Sequence, residues 1–192
     1  PLRYLGADSD ITRLKQTEEQ LRNTKQEADL RAQEAETLRQ AGAAIASTLD
    51  RDEALRLVMD QAGLVVPYET ATVQVLEDGM LRVIGVSGSP ELEEGSRIDP
   101  EEVQPYERLL AEAEPILNCC SAGEVPDCPR FRDGRSSSWI GVPLENRDRI
   151  VGILTLSKAD GRRFEQRHLR LASAFADYVG IAIENARLFE EA

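Results

Sequence analysis

The chain holds three cysteines, and Cys119, Cys120 and Cys128 fall within ten residues of one another. Thiolates grouped in this way can ligate iron or zinc, and two of them can close a redox disulfide. Strand geometry works against that chemistry. Ile116 to Cys120 reads as a strand, and adjacent strand residues point to opposite faces, so Cys119 and Cys120 share a pocket only if the strand ends there. A metal would need a fourth ligand, and no histidine lies nearby. Small buried hydrophobes plus a loop thiol are the simpler role for these residues. Arg130, Arg132 and Arg135 crowd the same stretch of an otherwise acidic region. Their planar forks suit a carboxylate or phosphate, or they balance the acidic segment from Glu91 to Glu107.

Tyr106, Phe131 and Trp139 fall on a helix, a loop and a strand, and aromatic side chains of this kind commonly line ligand pockets. With Cys120 and Arg132 they are the candidate ligand contacts, although aromatic side chains at such positions more often fill a core. His168 is the only histidine, so a His-dependent triad or a His-centred metal site has too few imidazoles. We identify no catalytic residue set and expect no catalytic activity from these residues. His168 itself reads as a surface residue near the start of the last helix.

The elements that must position these residues follow from periodicity. From Thr12 to about Leu49 there is no proline and only Gly42 as glycine, while Arg, Glu, Gln, Lys and Ala dominate, which predicts one long helix. Leu14, Leu21, Ala28, Ala35, Gly42 and Leu49 recur every seven residues, joined by Leu38 and Ile45, so the helix resembles a coiled coil. Thr17, Thr24 and Arg31 weaken that seam, as befits a helix that shifts or a solvated spacer. Asp50, with Glu53 three residues on, caps a second helix whose stripe is Leu55, Val58, Met59, Ala62 and Val65, and Pro67 ends it.

The period then changes to two. Thr70 to Glu77 and Met80 to Ser87 read as strands joined by Asp78-Gly79, a pair suited to a tight hairpin turn. Ser87 to Asp99 reads as a loop, and Asp99-Pro100 opens a third helix with Val103, Tyr106, Leu110 and Ala113 inward. Residues 121–137 form an irregular loop of the kind that often carries function. Ser138 to Leu144 and Ile150 to Ser157 make a second hairpin, turning at Glu145 to Asp148. A last helix from about Glu165 to Glu191 has an apolar band, including Leu171, Phe175, Tyr178 and Ala182, wide enough to face both a sheet and another helix. This order defines an α+β domain around an antiparallel sheet.

Charge and composition bound the function class. At 192 residues, with 41% hydrophobic and 30% charged, the chain has room for one domain plus an extension and shows no membrane-spanning run. The formal charge of −12 repels phosphate backbones, so nucleic acid is excluded as a first reading. Residues 1–40 are nearly neutral, and about −11 of the charge lies in residues 41–192. With an odd number of cysteines and no secretory leader pattern, we expect a reducing, cytoplasmic location. The sequence starts at Pro1, and we read it as a piece of a longer chain with an output domain elsewhere.

From about Ala41 to Ala192 the sequence resembles a GAF domain, the sensor module of bacterial signalling proteins. The residues that carry the resemblance are Ile45 to Asp50, Pro129-Arg130-Phe131-Arg132, Ser138 to Leu144, Val151-Gly152-Ile153-Leu154 and Ile181 to Leu188. Gly6 to Arg22 resembles the exit of a PAS domain into its signalling helix. The resemblance implies a six-stranded antiparallel sheet, one strand more than the periodicity gives, with terminal helices on one face and a ligand pocket on the other under residues 87–137. It implies domains at 1–11 (end of PAS), 12–40 (coiled-coil signalling helix) and 41–192 (GAF sensor). It also implies a sensor that binds a small ligand and homodimerises through its terminal helices within a two-component protein, most often a histidine kinase, or a diguanylate cyclase. A dimerising spacer without ligand, or a thiol or metal sensor using the three cysteines, are the alternatives. Bilin is disfavoured because no histidine follows Cys119 or Cys120, and haem because His168 lies away from the loops. Of the nucleotide-binding signature in the family only Lys158 and Phe164 have counterparts, so the ligand stays unidentified.

Overall fold

A computed structural model describes residues 5–47, 50–88, 92–120, 137–146, 149–158 and 162–190. The chain separates into two compact units, residues 1–36 and 37–192. The first is helix throughout its described part, the beginning of α1 (Leu5–Ser47). Every residue from Ile11 to Gln33 is exposed, Leu14 and Leu21 to 64% and 69%. Thr17 and Thr24 each donate their hydroxyl to the carbonyl four residues back, at 2.8 Å, which keeps their polar groups satisfied within the helix itself.

The second unit is built on a six-stranded sheet of order β3-β2-β1-β6-β5-β4, all neighbours antiparallel. Its elements after α1 are α2 (Arg51–Val65), β1 (Thr70–Glu77), β2 (Met80–Ser87), β3 (Arg97–Ile98), a 3-10 turn (Pro100–Glu102), α3 (Gln104–Glu112), β4 (Ile116–Cys120), β5 (Ser137–Asn146), β6 (Arg149–Lys158) and α4 (Gln166–Glu190). The Asp50 side chain accepts from the Glu53 amide at 2.9 Å and starts α2, as its spacing predicts. Asp78 and Gly79 take φ of +52° and +78°, the left-handed pair that a two-residue hairpin requires.

Three local expectations change. The sixth strand is β3, only two residues long, inside what reads as a loop; two residues are too short to show a period. Asp99-Pro100 opens a 3-10 turn instead of the third helix. Asp99 caps Glu101, the chain breaks at Val103, and α3 starts anew. Val103 and Tyr106 are buried as expected, Leu109 is fully buried with half-buried Leu110 packed beside it, and Ala113 ends the helix exposed with φ of +55°. The second hairpin also pairs further than expected, through Asn146 and Arg149.

The two faces of the sheet are covered differently. Ala71, Val73 and Val75 of β1, Ile140, Val142 and Leu144 of β5, and Leu154 and Leu156 of β6 meet Leu55, Val58 and Met59 of α2 and Phe175, Ala176 and Val179 of α4. Ala41 and Leu38 of α1 join that same core. On the other face, α3 brings Val103, Tyr106 and Leu109 onto Leu81, Ile116, Trp139 and Ile153. The terminal helices and α3 thus take opposite faces.

Candidate functional site

Under α3 the sheet is not purely apolar. Thr72 of β1 pairs across the ladder with Thr155 of β6, and antiparallel partners project to the same face. Their hydroxyls lie 2.6 Å apart. Gln74, two residues along β1 and so on the same face, donates from Nε2 to Thr72 Oγ1 at 2.9 Å and to the Tyr106 hydroxyl at 3.4 Å. All three strand residues are completely buried, and Tyr106 nearly so. The Gln74 side-chain oxygen Oε1 has no hydrogen-bond partner. Both neighbours of the amide are hydroxyls, which give or take a hydrogen bond, so turning the amide over moves the unpartnered end to nitrogen without removing it. A buried polar atom left this way costs about 1–3 kcal/mol.

Two aromatic rings wall the strip. Tyr106 from α3 and Trp139 from β5 stack with centroids 6.1 Å apart and planes inclined by 29°. Trp139 pairs with Ser157 and Gly141 with Thr155, which brings the indole beside the polar residues of β6. The indole turns back along its own strand over Gly141. A Cβ at that position would meet Trp139 Cη2 at 2.1 Å and Leu109 Cδ1 at 2.5 Å, so glycine is what lets both lie there. None of the side chains buried between α3 and the sheet is charged, among the described residues.

Of the candidate contacts read from sequence, the structure brings Tyr106 and Trp139 together. Cys120 ends β4 paired with Ser137, and Cys119 is paired with Ser138. Phe131, Arg132, Arg130, Arg135 and Cys128 lie outside the described residues. No cluster of three or more His, Cys, Asp or Glu able to hold a metal is found among the described residues. Thr72, Gln74 and Thr155 escaped the sequence reading because alternating polar residues normally mark a solvated face. The usable signal was that β1 carries Thr70, Thr72 and Gln74, and the second half of β6 Thr155 and Ser157, at those alternate positions, with no charged residue among the five.

His168 corrects the expectation of a surface residue, since it is 3% exposed. Its Nδ1 accepts from the Glu165 amide at 2.9 Å and its ring meets Phe164 edge-on, so it fills the acceptor role of a capping box at the start of α4. Burial, with help from the adjacent Arg167 charge, lowers its pKa below the ordinary histidine value. Lys158 places its ammonium 4.5 Å above the Phe164 ring, on the helix-covered side.

A depression of about 510 Å³ opens elsewhere, where Arg51, Glu77, Arg82, Arg149 and Glu184 surround an apolar floor on the helix side. Two of its charges are spent on each other. Arg82 forks onto Glu77 at 2.6 and 2.7 Å, which holds the Glu77 carboxyl below its usual pKa, and Glu184 accepts from Asn146 at 2.7 Å.

This architecture and the matches to known proteins agree. Residues 48–184 match the GAF domain family, and the chain belongs to it. Among solved structures, the GAF domain of a phosphoenolpyruvate-protein phosphotransferase from Coxiella burnetii superposes with a TM-score of 0.71 at 17% identity, covering 84% of this chain and 98% of that one. Residues 122 to 287 of a methyl-accepting chemotaxis protein match with a TM-score of 0.67 at 18% identity, over 80% and 100% of the two chains. The GAF domain of a two-component sensor histidine kinase from Bacillus halodurans gives 0.62 at 20%, over 74% and 99%. At these identities the likeness is one of fold. Among the described residues, no helix is long and apolar enough to cross a membrane.

Proposed function

We propose that the chain is the sensory GAF module of a cytoplasmic signal-transduction protein, of the sensor histidine kinase type, which takes a small molecule between α3 and the sheet. The unpartnered amide of Gln74, buried beside the Tyr106–Trp139 stack, is the observation that carries this reading. A ligand that satisfies it favours one arrangement of α3 over another, and a shift between those populations is what the terminal helices would relay. In this reading residues 1–11 end a PAS domain, residues 12–40 form a signalling helix, and two copies pair in parallel through the terminal helices, with Ile11, Leu14, Leu21 and Leu30 the large apolar residues that α1 leaves exposed among the described residues.

Native mass spectrometry of freshly purified protein tests the ligand, with a small-molecule mass retained by the wild type and lost in Gln74→Met as the expected result. Sedimentation velocity tests the pairing; a monomer at every concentration would remove the relay through paired helices. A spacer that only joins dimeric partners is the second reading, and the Trp139 indole and Leu109 filling the space over Gly141 favour it. That reading prevails if the protein stays ligand-free and the Trp139 environment never changes.

A further inference from the structure

The helix-covered face is not closed everywhere. We infer that the depression between the first turn of α2 and the second half of α4 binds an anionic amphiphile, a molecule with one carboxylate on an apolar body. This site is separate from the one under α3 and does not depend on it.

The shape of the depression supplies the apolar part. Val75 of β1, Ile84 of β2 and Val151 of β6 make a floor on the helix side of the sheet, and Ile183 of α4 stands beside it. The space, about 510 Å³, falls within the range of small-molecule pockets, about 300–1,000 Å³. Arg51 brings in the start of α2, so an occupant touches α2 and α4 at once.

The charged part comes from the rim. Arg51, Arg82 and Arg149 stand there against Glu77 and Glu184, an excess of guanidinium groups within residues 41–192, whose formal charge is about −11. Glu77 accepts the Arg82 fork, and Arg97 and Arg51 add to the positive field around it. Arg51 also meets Asp52 at 3.0 Å, and Glu184 accepts from Asn146 at 2.7 Å. Arg149 is exposed where β6 begins, so a carboxylate can reach it without displacing any of these contacts. A single negative charge suits the site, because a dianion would crowd Glu77 and Glu184 and a cation would meet the arginine excess. An exposed ion pair contributes little in water, so the apolar body must supply most of the affinity.

Octanoate, octanamide and octylamine share one chain length and differ in the head as anion, neutral amide and cation, and hexanoate shortens the chain. Binding is followed in amide NMR spectra of the wild-type chain at low salt, where Gly180 and the Asn146 side-chain amide report on the depression and the Trp139 indole on the α3 face. We expect octanoate to shift the Gly180 and Asn146 signals saturably, to leave the indole signal in place, and to bind about tenfold more tightly than hexanoate. Octanamide and octylamine are expected to bind about threefold more weakly or worse, and Arg149→Gln to weaken octanoate by about three- to fivefold while leaving octanamide unchanged. Because Arg149 is exposed, the variant should keep the wild-type spectrum outside the depression. Octanamide or octylamine binding as tightly as octanoate, or wild-type affinity for octanoate in Arg149→Gln, would overturn the inference. So would octanoate shifts larger at the indole than at Gly180, or no saturation by any of the probes. None of these results bears against the reading of the α3 face.

Discussion

The two faces of one sheet differ in kind. The helix-covered face is assembled mainly from aliphatic side chains with Phe164 and Phe175, packed by elements from distant parts of the chain. The α3-covered face mixes a smaller aromatic and aliphatic cluster with a strip of uncharged polar groups, one of them unpartnered. Residues alternate between the faces along each strand, so every hydrogen bond that makes the ladder supports both. A sheet can therefore place stability on one side and keep a polar, incompletely satisfied site on the other. A buried polar defect is tolerable here because the opposite face makes up the deficit.

That division can be broken from either side. Phe175→Ala removes the largest wholly buried side chain from the helix face, and we expect a loss of about 3–5 kcal/mol in denaturant unfolding. Among folded molecules, Trp139 emission should stay unchanged. If the emission shifts before the unfolding transition, the faces are coupled and the division is wrong. Gly141→Ala acts on the other face: its methyl must displace both the indole and Leu109, for about 1–3 kcal/mol, with altered Trp139 emission in the folded state. Native-like emission in that variant would mean that the indole does not lie over Gly141.

The smallest effect tests an edge of the helix face. His168 is neutral while it accepts from Glu165, and its pKa is lowered in the folded state, so its contribution is complete above the ordinary histidine value of about 6.5 and is lost as pH falls through the folded value. Thermal stability should fall between pH 7 and pH 5 more steeply for the wild type than for His168→Gln, whose amide accepts the same bond without titrating. Parallel profiles would show that the imidazole does not perform this capping.

Sequence alone made the hairpins, the Asp50 cap and the long helices legible, because each rests on local chemistry: a left-handed dipeptide, a side-chain acceptor three residues before an amide, a run of helix formers. It also placed Tyr106 and Trp139 at one site. What it missed depended on contacts across the fold. Thr72, Gln74 and Thr155 are buried on the face where Tyr106 of α3 reaches Gln74, and His168 is buried where Phe164 meets its ring at the start of α4. Periodicity picked Leu110, half-buried against the cluster, and missed its fully buried neighbour Leu109, while Ala113 is exposed where the helix ends in a left-handed residue.

The glycines of the family motifs acquire reasons at the same time. Gly141 makes room for the indole, and Gly152 leaves its neighbour strand undisturbed, since a Cβ there would come within 2.0 Å of the Gln74 carbonyl oxygen. Pro143 also fits its strand, because β4 stops pairing at Gly141 and leaves β5 with a single partner beyond it.

Gly42 sits within α1, where a Cβ would press on the Tyr178 ring at 3.2–3.4 Å. Glycine inside a helix is about 0.5–1 kcal/mol less favourable than alanine, so the close fit to Tyr178 is obtained at a turn that unwinds more readily than its neighbours. Melting of α1 would then start from within the second unit, where the helix is packed, instead of at its solvated residues alone. Amide exchange around Gly42 would report how often that turn of the helix opens.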